Sequence, residues 1–259
     1  EIEYGWIPDA MAELRRDFLP ADLRREIAAA GVDRVISVQA RQSLPETDWL
    51  LELAAANDFI AGVVGWLPLA AANFPEQLAR YRVNPKLRGL RHVIQDEPDP
   101  RFMLGDAFNR GVALLADAGL VYDILIYPRH LATAVEFVKR HRPNQRFVLD
   151  HLAKPEIRTG AIEPWASELR RLAALPNVAC KLSGMVTEAD LRHWRVEELR
   201  PYCEIVLDAF GPERVLFGSD WPVCLGGVGY GEWKNLVETF AGADRELIMG
   251  GNARLIYGV

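Results

Sequence analysis

Short apolar runs rich in β-branched residues recur about every 30 residues along this chain, and stretches with helical apolar spacing fill the intervals. That alternation is the signature of βα units around a parallel sheet, and the length of the runs with their flanking Gly, Pro and Asn favours strand over buried helix. Strands are expected at Arg34–Gln39, Ile60–Leu67, Leu90–Ile94, Val121–Tyr127, Phe147–His151, Val178–Ser183 and Val215–Asp220. Helices are expected from Pro20 to a stop at Gly31, over Glu46 to Leu53, and from Met103 to Ala118. Others should span Leu131 to Arg140, Pro164 to Leu175 and Pro201 to Phe210, with Gly211-Pro212 as a stop. Gly250-Gly251-Asn252 reads as a helix stop followed by a new N-cap rather than a phosphate loop, since it follows a helix and lacks G-x-G-x-x-G spacing.

Seven runs are found where a closed barrel of this class needs eight. The units continue to the C-terminus, so the eighth strand is expected before residue 1. The expectation is therefore a (β/α)8 TIM barrel, with residues 1–259 as one domain and its first strand missing from the sequence given. The opening Glu1-Ile2-Glu3-Tyr4 has no initiator Met, in keeping with that reading.

A net charge of -6 argues against nucleic acid and anionic membrane as partners, because both reward a basic face. No apolar run reaches the roughly 18 residues of a membrane span, and no signal peptide opens the chain. Cys180, Cys203 and Cys224 are odd in number and form no C-x-x-C pair, which fits reduced thiols in a cytoplasmic protein. No G-x-S-x-G elbow, H-E-x-x-H helix or Cys/His zinc cluster is present.

In a parallel barrel the chemistry gathers at the C-terminal tips of the strands. The polar residues there are Gln39, Trp66, Arg91 with His92, Asp123 with Tyr127, Asp150 with His151, Lys181 with Ser183, and Asp220 with Trp221. Asp220 follows the apolar run Val215-Leu216-Phe217-Gly218, and a carboxylate at such a tip can take a proton from water or ligate a metal. A loop Asp capping the next helix is the plainer alternative. Lys181 interrupts Val178-Ala179-Cys180-Lys181-Leu182 and is costly there unless it meets an anion or a carbonyl; snorkelling to a strand end is the alternative. His151 is either a strand-tip ligand or a satisfied structural histidine. Asp150 is expected only to orient neighbouring backbone. Adjacent strand residues face opposite ways, so only one of Arg91 and His92 should enter the barrel, and the sequence does not say which. His130 and Arg129 could line the mouth or be solvated, while His141 and His193 read as surface residues. Gln95 to Pro100 is polar and Pro-rich, either a lid or a plain surface loop.

Several of these segments resemble the amidohydrolase-2 family. They are Val148-Leu149-Asp150-His151-Leu152-Ala153-Lys154-Pro155, Lys181-Leu182-Ser183-Gly184, Leu216-Phe217-Gly218-Ser219-Asp220-Trp221-Pro222 and Gly251-Asn252-Ala253. Val38-Gln39-Ala40-Arg41-Gln42 and Gly89-Leu90-Arg91-His92 are similar too, and the likeness points to the sugar-lactonase branch. The resemblance implies a (β/α)8 barrel that opens a small-molecule aldonolactone such as L-fucono- or L-rhamnonolactone. It implies catalytic roles for Asp220, which activates the attacking water, and for His151. It implies substrate contacts from Gln39, Arg91, His92, Tyr127, Lys181 and Trp221. It also implies an N-terminal H-x-H motif, absent from this sequence, and one divalent metal such as zinc, or none. His151 and Asp220 are then the two metal ligands the sequence offers. The other activities open to such a chain are a metal-dependent decarboxylase, an amide hydrolase, or a non-catalytic sugar-acid-binding relative.

Overall fold

The computed structural model describes Gly5 and residues 7–259. All seven expected strands form: β1 (Val35–Val38), β2 (Ile60–Gly65), β3 (Leu87–Val93), β4 (Val121–Leu125), β5 (Phe147–Leu149), β6 (Val178–Leu182) and β7 (Val215–Phe217). They pair in parallel and in chain order, so each crossover carries the chain to the next position around a curled sheet. Among the described residues no strand joins β7 to β1. The strand expected before residue 1, like residues 1–4 and Trp6, lies outside the described residues.

The helices are α1 (Pro20–Ala30), α2 (Leu44–Ala56), α3 (Phe74–Tyr81), α4 (Asp106–Ala113), α5 (Leu131–Lys139), α6 (Trp165–Ala173), α7 (Val196–Phe210), α8 (Tyr230–Ala241) and α9 (Asn252–Tyr257). Helices α3 and α8 were not expected from the sequence. The helix expected over Met103 to Ala118 breaks at Gly105, whose extended backbone separates a 3-10 turn from α4. Helix α7 starts ahead of Pro201, because the Glu198 carboxylate accepts from Arg195 N and fixes the first turn there. Asn252 does not cap α9. Its buried amide donates to the carbonyls of Pro212 and Val215, pinning a one-turn π-helix (Leu247–Gly251) and α9 to the start of β7. No helix among the described residues is long and apolar enough to cross a membrane, and all three cysteines are buried free thiols.

The strands sort their side chains with period two. Val64, Val121, Val148, Ala179 and Leu216 point into the barrel, joined by Ile36 and Val38. Leu90, Tyr122, Ile124, Phe147, Leu149, Cys180 and Leu182 point outward into the layer shared with the helices. Gly62 and Gly89 face inward where no side chain fits: a Cβ on Gly89 would lie 2.8 Å from Val121 O. Helix α9 closes the N-terminal end of the barrel. The Val259 side chain packs against Gly62, Arg146 just before β5 donates to Leu255 O, and Tyr257 reaches up the axis. The Tyr257 hydroxyl meets both oxygens of Asp123, at 2.8 and 2.9 Å.

A hydrogen bond to a buried charged group is worth about 1.5–3 kcal/mol. Tyr257→Phe should therefore lower the unfolding free energy by about 2 kcal/mol, read from urea denaturation. A loss under about 0.5 kcal/mol would mean that Asp123 does not depend on this hydroxyl.

Candidate active site

Directly above the apolar floor lies a layer of charge. Arg91 Nη1 stands 2.9 Å from Asp150 Oδ2. Lys181 Nζ lies 2.7 Å from Asp150 Oδ1 and 2.6 Å from Asp123 Oδ2. The carboxylates are wholly buried, while the Arg91 and Lys181 side chains are 11% and 12% exposed. Two cations thus match two anions. Burial alone would strip the Lys181 proton, but Asp123 and Asp150 hold it on firmly. Burial also opposes the Asp150 charge, yet Lys181 and Arg91 keep that carboxyl well below the usual range. At Asp123 burial prevails and pushes the carboxyl up. Asp150 therefore does more than orient backbone: it pairs with both cations.

Period two also settles which of Arg91 and His92 enters. Arg91 turns inward and donates to Gln39 O as well, while Gln39 Nε2 donates to Arg91 O, at 3.2 Å. Gln39 is wholly buried and ties β1 to β3. His92 turns outward, stacks on Phe102 and bonds Glu97 Oε1 at 2.6 Å. Trp66 Nε1 donates to its other nitrogen, and burial holds the ring neutral. The fold therefore does not bring His92 to the charge layer.

The tips of β5 and β7 carry His151 and Asp220. Both strands stop earlier than expected because the chain leaves the ladder in left-handed backbone. His151, Leu152, Ala153 and Lys154 all have positive φ, as does Asp220 (φ 54°). Each such non-glycine residue costs on the order of 1–3 kcal/mol and needs surrounding structure to hold it. Trp165 Nε1, donating to Leu152 O at 2.7 Å, is one such restraint. The turn aims His151 across to β6, where Nδ1 lies 2.8 Å from Ser183 Oγ. Its Nε2 stands 3.7 Å from Asp220 Oδ1. Burial pushes the imidazole pKa down, so the ring is neutral at pH 7. Gly184 must be glycine: its φ is +63°, and a Cβ would lie 2.8 Å from His151 Nδ1.

Asp220 is 19% exposed, so water can reach it. Its loop is held by Cys224 N donating to Asp220 O and by Trp233 Nε1 donating to Gly218 O. Trp221 packs edge-on against Phe18. Its buried Nε1 has no acceptor among the described residues.

Tyr127 lies at the rim, with the Arg129 guanidinium 4.8 Å and Lys154 Nζ 5.4 Å from its ring centroid. His130 is buried beneath, accepting from Tyr127 N, and does not line the mouth. His141, expected at the surface, packs edge-on to Phe137, and burial lowers its pKa to about 4. Glu188 is a rim residue that sequence reasoning missed. It ends a 3-10 turn (Val186–Glu188) after β6, close to the charges of Lys154 and Asp220. Burial pushes its carboxyl up to about 7. An acid shortly after a strand tip was the available signal.

His151 Nε2 and Asp220 Oδ1 are close enough for one cation to touch both, and imidazole with carboxylate is a donor set that suits zinc. Among the described residues no group of three or more His, Cys, Asp and Glu is arranged to hold a metal ion. The pair thus fits as part of a site.

The sequence profile of the amidohydrolase family matches residues 6–259. The chain is 45% identical over 270 residues to an L-fucono-1,5-lactonase of Burkholderia multivorans, covering 98% of this chain and 90% of that protein. It is 38% identical to an L-fucono-1,5-lactonase of Burkholderia ambifaria, covering 97% and 89%. A crystal structure of an amidohydrolase from Burkholderia multivorans with bound zinc superposes with a TM-score of 0.95 at 43% identity, covering 100% of this chain and 94% of that one.

Removing one partner of a buried ion pair costs about 3–5 kcal/mol, because the orphaned charge stays buried. Lys181→Met should lose that much in thermal or urea unfolding. Adding Asp123→Asn should recover part of the loss, since it removes one of the two stranded carboxylates. If the double variant is no more stable than the single one, Lys181 and Asp123 are not coupled in the folded state.

Proposed function

The chain belongs to the amidohydrolase family, and on that footing we propose that it is a lactonase that opens the ring ester of a polyhydroxylated sugar acid, with L-fucono-1,5-lactone as the first candidate. The identity and coverage of the two lactonase relatives support the substrate class. The observation that carries the chemistry is a water-accessible carboxylate, Asp220, held in strained backbone 3.7 Å from a neutral imidazole.

Asp220 takes a proton from a water molecule as its oxygen attacks the ester carbonyl. The developing oxyanion is met by His151. With the Ser183 hydroxyl donating to Nδ1, the proton on the ring sits at Nε2 and donates to that oxygen. The tetrahedral centre then expels the ring oxygen, which takes the proton from Asp220. Water's hydroxyl ends on the carboxyl carbon and its hydrogen on the released alcohol. Trp221 and Tyr127 wall the pocket. Lys181 and Arg91, committed to Asp123 and Asp150, act mainly from beneath by fixing the strand tips.

A divalent cation such as zinc, held by His151 Nε2 and Asp220, would supply Lewis acidity to the same carbonyl. The alternative tautomer serves that arrangement, because Ser183 Oγ can equally accept from Nδ1–H and leave Nε2 free to ligate.

A positioned acid/base group contributes about 10²–10⁴-fold. Asp220→Asn should lose turnover of L-fucono-1,5-lactone in that range, followed with a pH indicator, with the far-UV spectrum and melting temperature unchanged. Turnover within about threefold of wild type in that variant would remove Asp220 from the base role.

A further inference from the structure

Lys154 and Glu188 are not used in the steps above, yet their placement is costly. Lys154 is the last of the four positive-φ residues that begin at His151, and Pro155 follows it. That turn brings the ammonium back over the mouth, to 5.4 Å from the Tyr127 ring centroid. Glu188 sits on the next strand's loop, largely buried, and its charge acts on both Lys154 and Tyr127. The two opposite charges are close enough to influence each other. Even so, among the described residues neither Lys154 Nζ nor the Glu188 carboxylate makes an ion pair or hydrogen bond. Partly buried charges without a polar partner are expensive. A strained turn that sets an ammonium over an aromatic face, with the Glu188 carboxyl nearby and unpaired, leaves both sets of hydrogen-bonding positions open to a ligand.

We propose that Lys154 and Glu188 form a polar clamp that reads hydroxyl groups of the substrate ring remote from the ester, with the Tyr127 face as its floor. Lys154 donates to a hydroxyl oxygen, and the Glu188 carboxyl group hydrogen-bonds a neighbouring hydroxyl. Sugar C–H faces pack on aromatic rings, so the Tyr127 face beneath the Lys154 ammonium suits a ring with one apolar side and a polar edge. The clamp selects polyhydroxylated lactones over bare ones and leaves the reacting carbonyl to Asp220 and His151.

The inference rests on the lactonase reading, and its test separates the two. Wild type, Lys154→Met and Glu188→Gln are assayed on L-fucono-1,5-lactone and on unsubstituted δ-valerolactone. The proposal expects KM for the sugar lactone to rise at least about 10-fold in each variant, the fold-change of one lost charge-assisted hydrogen bond. Turnover of δ-valerolactone should change by less than about twofold. Equal losses on both lactones, or no change on either, overturn the clamp. Calorimetric titration of the ring-opened sugar acid and of 5-hydroxypentanoate gives a second readout that needs no turnover. If wild type opens neither lactone, the lactonase reading fails, and the titration still decides the clamp. Preferential binding of the sugar acid that both variants abolish supports it; preference that survives in the variants overturns it.

Discussion

Two carboxylates lie inside the barrel with no access to water, and the geometry above them depends on how their charge is met. Asp123 is held from below by Tyr257 and from above by Lys181; Asp150 is held by Lys181 and Arg91. A well-packed apolar layer of the same volume would cost the fold less, since desolvating four charges is only repaid by good geometry. What the charges add is placement. Arg91 joins β3 to β1 through Gln39 and to the end of β5 through Asp150, while Lys181 joins β6 to β4. The strand tips are thus cross-braced from within, just below His151 and Asp220.

That bracing explains how the site tolerates strain. His151 follows Asp150 directly, and the left-handed run begins where Asp150 is anchored. Without a fixed Asp150 the turn would relax toward ordinary backbone and carry His151 away from Ser183 and Asp220. Gly184 completes the fit from the side of β6 by offering no Cβ to the imidazole. Asp220 is treated in the same way, with Trp233 and Cys224 tying the loop on either side. His151 and Asp220 are held by the backbone, so they need not pair tightly and both stay partly exposed.

Much of the fold was legible in the sequence, for a physical reason. Parallel strands buried on both faces are written as unbroken β-branched runs, and all seven stood out. Their far ends were read too long, because His151 and Asp220 look like continuations of a run until the sign of φ is known. Helix α8 carried a readable pattern, Tyr230, Trp233, Val237 and Ala241 on one face; α3 is short and buries only three side chains. The tip residues were legible as polar interruptions, but their partners were not. Arg91 finds Asp150 across 59 residues and Lys181 finds Asp123 across 58, and no local spacing encodes such pairs. Glu188 escaped notice because its interest lies in burial beside Lys154, which only the folded chain creates.

The brace has a consequence for the order of assembly. Asp123 and the hydroxyl that caps it are 134 residues apart, and Tyr257 lies in α9. During synthesis the ribosome delivers the carboxylate long before its cap, at roughly 5–20 residues per second. The early strands can pair in that interval, but Asp123 lacks its hydroxyl partner until α9 is made. The charged layer therefore depends on a contact that is long-range in sequence, and pairing of neighbouring strands alone does not complete it.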